Sequence, residues 1–180
     1  MRLYLTPISE GLKAFLRSKG LGSMSYEDGL SFFSPSLPVE RIDLAFSEAA
    51  ESFPERFGAL LTNIAGALAE RLLQAALSHY PNKVAYPDEV ILRDTLYGSF
   101  ALYHPFLAHF DKAKAEWVKS GLAYLDHHAD KKEAAEALYL HRNSLLYRLR
   151  KLKEVAGIDI NEPHEAALLL IFRALKVGLD

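Results

Sequence analysis

Hydrophobic residues recur at steps of three and four along most of the chain, which is the spacing of amphipathic helices. This pattern predicts a short helix from near Ser9 to Lys19, which Gly20 ends, and a second helix over VERIDLAFSEAAESF, residues 39–53. The intervening LSFFSPSLP, residues 30–38, is aromatic and contains two prolines. It therefore predicts a short strand or an extended loop.

The longest helical pattern extends from about Pro54 to His79. Its apolar stripe consists of Phe57, Leu60, Leu61, Ile64, Leu68 and Leu72. One helix over this segment would contain about 26 residues and be roughly 40 Å long, at ~1.5 Å per residue. Such a helix packs either against a second subunit or across the core of its own domain, and the sequence leaves both alternatives open.

Two more helices are predicted, one on each side of the boundary at residue 110. The first covers DEVILRDTLYGSF, residues 88–100, with Asp88 placed to cap its N-terminus. The second runs from Asp111 to about Asp126, and its apolar side is predicted to consist of Trp117, Leu122 and Leu125. Residues 1–110 are therefore predicted to be a helical region.

Two short helices joined by a turn are predicted next. Asp130 and Glu133 have the spacing of a capping box at the start of the first helix. The residues YLH, 139–141, interrupt this helix, and the second begins at Arg142 and ends before Gly157, a natural helix-ending residue. This arrangement is typical of a helix-turn-helix.

The second helix of this pair separates apolar residues from polar and basic ones. On a helical wheel with ~100° per residue, four apolar residues lie within about 60° of one another. They are Leu145, Leu149, Leu152 and Ala156. The far side carries Asn143, Ser144, Tyr147, Arg150 and Lys151, while Arg142, Arg148 and Lys153 flank the apolar stripe. Residues 140–153 contain five lysines and arginines and no acid, in a chain whose net charge is −2. Because the positive charge is local, we expect an anionic partner to meet this face.

Several classes of site are not supported by the sequence. The chain has no cysteine, which excludes disulfides and thiolate chemistry. The seven histidines form no HExxH pattern, and neither a glycine-rich phosphate loop nor a GxSxG motif occurs. No apolar stretch reaches the ~18 residues of a membrane span, and the first residues lack a secretory signal pattern. We therefore expect a cytoplasmic protein that is not an enzyme, with no cofactor, no metal and no membrane partner.

The segment AAEALYLHRNSLLYRLRKLKEVAGIDINEP, residues 134–163, resembles the C-terminal helix-turn-helix of PucR/CdaR-type bacterial transcriptional regulators, and it is also similar to the DNA-binding end of Fis-type proteins. The family's pattern is filled by Ala134, Leu138, Leu140, His141, Arg142, Asn143, Ser144, Leu145, Tyr147, Arg148, Leu149, Gly157, Asp159, Ile160 and Pro163. The resemblance covers about residues 115–178, and VAYPDEVILRDTLYG, residues 84–98, weakly resembles the end of the family's central GGDEF-like domain. Residues 1–80 carry no such resemblance, which implies a shortened, divergent N-terminal region.

The resemblance implies transcription regulation through sequence-specific binding of double-stranded DNA, as a homodimer. We expect Arg142, Asn143 and Ser144 to approach base edges, because arginine and asparagine read guanine and adenine near the start of a recognition helix. We expect phosphate contacts from Lys131, Lys132, Tyr147, Arg148, Arg150 and Lys151, and either a capping role or a phosphate contact from His141. The last helix, residues 163–178, has an apolar face that either braces the recognition helix or meets a second subunit: Ala167, Leu170, Ile171, Ala174 and Leu175.

The sequence as a whole predicts a mainly α protein. Residues 1–110 would form a helical region for dimerisation, with ligand sensing as a further role that no residue pattern supports, and residues 111–180 a helix-turn-helix domain that binds DNA. Two alternatives stay open: a Fis-like architectural protein that binds many sites and bends them, and a helical adaptor that uses its basic face on an acidic protein.

Overall fold

The computed structural model describes residues 1–177, which divide into two compact units, Met1–Leu102 and the residues from Tyr103 onward. The sequence placed the division between its two regions at residue 110. Gly178, at the end of the predicted last helix, lies outside the described residues. None of the helices within residues 1–177 has the length and apolar character needed to cross a membrane.

The first unit is built around a five-stranded sheet. Its elements in chain order are β1 (Arg2–Thr6), α1 (Glu10–Ser18), β2 (Met24–Glu27), β3 (Leu30–Phe33), α2 (Val39–Ser52), β4 (Gly58–Thr62), α3 (Ala67–His79), β5 (Val84–Ala85) and α4 (Pro87–Leu96). The strand order is β2-β3-β1-β4-β5, and neighbouring strands are antiparallel except for the parallel pair β4 and β5. The first six elements have the βαββαβ order of a ferredoxin-like split unit.

This sheet corrects the prediction that residues 1–110 are a helical region. The predicted helix from Pro54 to His79 is wrong in its first half: β4 pairs with β1 along its whole length, and only the segment from Ala67 is helical. All five residues of β4 are buried. A strand buried on both faces is a continuous apolar run, and such a run also fits a helical period.

The shorter elements of the first unit are closer to the prediction. Ser9 caps α1 by accepting a hydrogen bond from the backbone N–H of Leu12 at 3.2 Å, and Gly20, with φ of +92°, follows the end of the helix. The segment LSFFSPSLP contains the strand β3. The predicted cap at Asp88 is displaced, because α4 begins at Pro87 with Tyr86 as its N-cap.

The second unit is helical throughout its described elements. These are α5 (Tyr103–Phe110), α6 (Ala115–Asp126), α7 (Lys131–Ala137), α8 (Arg142–Ala156) and α9 (Pro163–Val177). The helix predicted from Asp111 therefore starts four residues later. Its buried face includes Trp117, as predicted, but Leu122 and Leu125 are only partly buried, and the other buried residues are Val118, Ser120, Gly121 and Tyr124.

The last helix packs through a different face from the predicted one. Leu168 and Leu169 are fully buried, and the Phe172 ring stacks on Phe110 with ring centroids 4.2 Å apart. By contrast, Leu170 is 42% exposed and Ala174 is also exposed. The helix therefore braces its own unit, but the predicted apolar face is not the surface that does so.

Candidate nucleic-acid interface

The first helix of the predicted pair, α7, begins at a side-chain cap. A carboxylate oxygen of Asp130 accepts hydrogen bonds from the backbone N–H groups of Lys132 at 2.7 Å and Glu133 at 2.9 Å. These backbone bonds lower the pKa of Asp130 below its usual value. On the opposite side, Ala134 and Ala135 are buried, and α7 packs against both α6 and α8. The cap and the small buried residues together determine where α7 starts and how closely it approaches α8.

The turn between α7 and α8 exposes one residue and caps the next helix with another. Tyr139 has φ of +53° and is 98% exposed, and the following N–H of Leu140 donates to the carbonyl oxygen of Ala135 at 2.8 Å. His141 is the N-cap of α8, where its Nδ1 accepts the backbone N–H of Asn143 at 3.2 Å. Of the two roles expected for His141, capping is the one that this geometry displays.

The buried side of α8 consists of the four residues that the helical wheel predicted: Leu145, Leu149, Leu152 and Ala156. The helix ends at Gly157, which adopts the left-handed conformation with φ of +69°. This conformation is costly for residues with a Cβ atom, so the glycine sets the end of the helix. The predicted apolar face and the predicted end of α8 are therefore both confirmed.

The N-terminal turn of α8 presents polar side chains to solvent. Arg142, Asn143 and Ser144 are all exposed. Tyr147 is 48% exposed, and the guanidinium of Arg150 lies 5.7 Å from the centre of its ring. The structure thus brings five of the predicted DNA-binding residues onto the exposed surface of one capped helix.

Four cations on α8 are held by neighbouring carboxylates. Lys151 Nζ lies 2.6 Å from Glu154 Oε2, and Arg150 Nε lies 3.7 Å from Glu154 Oε1. The hydrogen bond from Lys151 lowers the pKa of Glu154. The other two pairs are Lys153 with Asp159 at 2.5 Å and Arg148 with Glu116 at 3.1 Å.

The pair of Arg148 differs from the others because it joins α8 to α6. Its side chain is 25% exposed, and its guanidinium contacts Glu116 in the first turn of α6. A guanidinium in this position stabilises the packing of the two helices and is less available to a phosphate than those of Arg142 or Arg150. Of the two predicted α7 lysines, Lys132 is exposed and pairs with Glu136 at 3.9 Å, and Lys131 is partly buried.

Sequence reasoning missed three residues around α8. The sequence predicted Tyr139 only as part of the turn between the two helices, and Lys153 only as a residue beside the apolar stripe of α8. The buried His109 of α5 lies next to the C-terminus of α8, where its Nε2 donates to the carbonyl oxygen of Ala156 at 2.7 Å. Burial lowers the pKa of His109, and its buried Nδ1 has no hydrogen-bond partner among residues 1–177. No local motif signals this contact, because His109 and Ala156 are 47 residues apart.

Comparison with known proteins agrees with this geometry. Residues 121–174 match the family described as the PucR C-terminal helix-turn-helix domain, which confirms the resemblance for that segment. Over 40 residues, the chain is 42% identical to the purine catabolism regulatory protein of Bacillus subtilis strain 168. That match covers 22% of this chain and only 8% of the length of the relative.

A solved structure extends the similarity of fold to the rest of the chain. It is the crystal structure of a regulator of polyketide synthase expression from Bifidobacterium adolescentis, which matches with a TM-score of 0.51 at 17% identity. The match covers 100% of this chain and 80% of that one. At this identity the likeness concerns the fold alone, and it includes the sheet-containing first unit.

Proposed function

We propose that this protein is a transcriptional regulator that binds operator sites in double-stranded DNA through α7 and α8. The observation that carries the proposal is the capped N-terminus of α8, which holds Arg142, Asn143 and Ser144 in solvent on a helix whose opposite face is buried. The match of residues 121–174 to a helix-turn-helix family supports the same assignment.

The proposed roles follow from the chemistry of each side chain. Arg142 and Asn143 read base edges in the major groove, where a bidentate arginine–guanine or asparagine–adenine pair discriminates by about 1–3 kcal/mol. Ser144 also lies close to the bases. Contacts with phosphates come from Tyr147, Arg150 and Lys151 on α8 and from Lys131 and Lys132 on α7. Arg148 contributes least because of its pair with Glu116, and His141, whose Nδ1 caps α8, contacts a phosphate only through Nε2.

We further propose that the regulator acts as a homodimer. Dimeric helix-turn-helix proteins bind two half-sites about 34 Å apart, one on each subunit. In the first unit, the end of α4 and the following loop expose four large apolar side chains: Leu92, Leu96, Tyr97 and Phe100. Exposed apolar residues in such a group are typical of a protein–protein contact, which supports self-association through this unit.

The same assignment accounts for the remaining expectations. The named relatives are regulators, so we propose a protein without catalytic activity that works in the cytoplasm, where bacterial DNA lies. No cluster of three or more histidine, aspartate or glutamate side chains that could hold a metal occurs among residues 1–177.

The decisive experiment is a mobility-shift assay of the full chain against genomic DNA fragments at two salt concentrations. We expect saturable, sequence-preferring binding that weakens as salt rises. Arg142→Ala should cost about 1–3 kcal/mol and relax sequence preference, whereas Lys151→Ala should weaken binding evenly across sequences. If both variants keep the affinity and salt dependence of the parent, the assignment of the recognition helix is wrong.

The assay also separates the alternatives. Binding to many fragments with little preference, accompanied by bending of the DNA, would indicate a Fis-like architectural protein. Failure of the protein to bind any fragment would favour the adaptor, whose basic face contacts an acidic protein.

A further inference from the structure

A small cleft on the second unit brings together cations from two helices. It has a volume of about 230 Å³ and opens between the start of α7, the second half of α8 and the loop before α9. Its polar lining includes Lys131, Arg150, Lys153, Asp159 and Asn161. We propose that this surface, hereafter the basic cleft, binds one backbone phosphate of the DNA. The proposal rests on the proposed function and assigns a specific site to it.

Part of the lining of the basic cleft is apolar. Leu149 and Ile160 line it, and each is only 7% exposed. Charges above a floor of low polarity are screened less than charges on an open surface, and the three cations of the basic cleft exceed its one carboxylate, Asp159, so that its net charge is positive. An anion that enters the basic cleft therefore meets a stronger positive potential than at an isolated lysine.

The walls of the basic cleft are held in place by contacts of their own. Lys131 is the first residue of α7 and directly follows the Asp130 cap. In the loop before α9, the backbone N–H of Asp159 donates to Glu165 at 2.8 Å, and Glu165 is buried. Arg150 and Lys153 are three residues apart on α8, a spacing that places them on one side of the helix. The cations are thus presented by ordered backbone on each wall.

One carboxylate already occupies part of the basic cleft. Asp159 contacts Lys153 at 2.5 Å, and its other oxygen accepts hydrogen bonds from the backbone and side-chain amides of Asn161, each at 3.0 Å. Arg150 forms a longer ion pair with Glu154, with 3.7 Å between Nε and Oε1. Three cations therefore face one carboxylate within the basic cleft, and an entering phosphate would compete with Asp159 for Lys153.

The position along α8 fits a DNA backbone. Arg142, which is proposed to read bases, and Arg150 are eight residues apart, or about 12 Å along the helix at 1.5 Å per residue. The major groove is also about 12 Å wide, with phosphates along both edges. A helix whose first turn contacts bases can therefore reach a flanking phosphate with its second half, and such a contact sets the register of the protein on the duplex.

The first test compares the salt dependence of binding between the full chain and its Lys131→Gln/Lys153→Gln double variant. Each neutralised phosphate contributes about 0.9 to the slope of log K against log salt. If both lysines serve one phosphate, and Arg150 does not replace them because it is paired with Glu154, the double variant should lower the slope by about 0.9, equally for specific and non-specific fragments. Lys119→Gln, on the exposed side of α6 and outside the basic cleft, is the matched control and should leave the slope unchanged.

The second test is a gain of binding, which a misfolded variant could not produce. Asp159→Asn keeps an oxygen for the Asn161 amides but removes the charge that holds Lys153. We expect tighter DNA binding by up to about fivefold at low salt, the upper value for a surface ion pair, because the Lys153 end of this pair is exposed. Asp111→Asn changes the net charge equally at an exposed position outside the basic cleft, and it should have a smaller effect.

The outcomes separate the two proposals. A wild-type protein that binds no DNA contradicts both. A wild-type protein that binds DNA, with an unchanged slope in the double variant or equal gains from Asp159→Asn and Asp111→Asn, overturns the basic cleft and leaves the proposed function standing. A slope reduction of about 1.8 would mean that the two lysines contact separate phosphates, which also overturns the shared site.

Discussion

Replacement of Gly58 by alanine tests the packing of β4 against α3, because a helix without this contact and the closely packed strand predict opposite signs for the change in stability. In a helix, alanine is more stable than glycine by about 0.8–1 kcal/mol. In the structure, a Cβ atom at Gly58 would lie 2.8 Å from the backbone nitrogen and 2.9 Å from the Cα of Leu77 in α3. The close approach of the sheet to α3 at this point requires glycine.

The cost of the added methyl group is set by what would have to move. Leu77 contributes backbone atoms to the contact, so a change of side-chain rotamer cannot relieve it. Insertion of a methyl group into a well-packed core costs about 1–3 kcal/mol. For a unit of this size, 1 kcal/mol lowers the melting temperature by roughly 4–8 °C. We therefore expect Gly58→Ala to lower the melting temperature of the first unit by at least about 4 °C.

The assay must distinguish the two units. Trp117 is the only tryptophan in the chain and lies in α6, so its fluorescence reports on the second unit, whereas far-ultraviolet circular dichroism reports on both. We expect the loss of stability in the circular dichroism transition of the first unit. Ser78→Ala, at an exposed position on α3, is the control and should change stability by less than about 0.5 kcal/mol. An increase in stability for Gly58→Ala would refute the close packing of β4 against α3.

Three further predictions concern both units. Burial lowers the pKa of His109, so the folded state favours the neutral imidazole. The second unit should therefore lose stability as the pH falls through the ordinary histidine pKa near 6.5. His109→Gln should make the Trp117 denaturation midpoint less dependent on pH between 7.5 and 5.5; an identical pH dependence in both proteins would contradict this explanation. Leu145→Ala should destabilise the second unit by about 2–5 kcal/mol in urea unfolding, since Leu145 is fully buried, and a loss below 1 kcal/mol would mean that α8 is not packed through this face. Ser9→Ala removes the cap of α1 and should cost about 1 kcal/mol in the circular dichroism transition of the first unit, where an unchanged transition would count against the cap.

The local signals of the second unit were sufficient to predict α6 to α9, whereas α5 was not predicted, because the sequence indicated a break at His104-Pro105. The Asp130 cap, the leucine spacing of α8 and Gly157 are each read within a few residues, and the structure has all three. The helical wheel of α8 also predicted which of its polar and basic residues lie away from the apolar stripe. Their roles toward DNA remain predictions, and the ion pair of Arg148 with Glu116 makes that residue the weakest of them.

The first unit was harder to predict because its strands depend on distant partners. Each residue of β4 pairs with one of β1, about 55 residues earlier in the chain. When both faces of a strand are buried, the alternation of apolar and polar residues disappears, and the remaining apolar run also matches a helix. The helical prediction for residues 54–66 therefore failed because the residues that pair with β4 lie far away in the sequence.

The sequence by itself determined the helix-turn-helix, its caps and the separation of leucines from cations on α8, because these depend on hydrogen bonds and side-chain spacing within one or two turns. Only the tertiary structure decided the sheet, the packed face of α9, the contact of His109 with the end of α8 and the grouping of Lys131, Arg150 and Lys153 in the basic cleft. The physical reason is the same in each case. These features arise from contacts between residues far apart in the chain, and their energy exists only after the elements have packed.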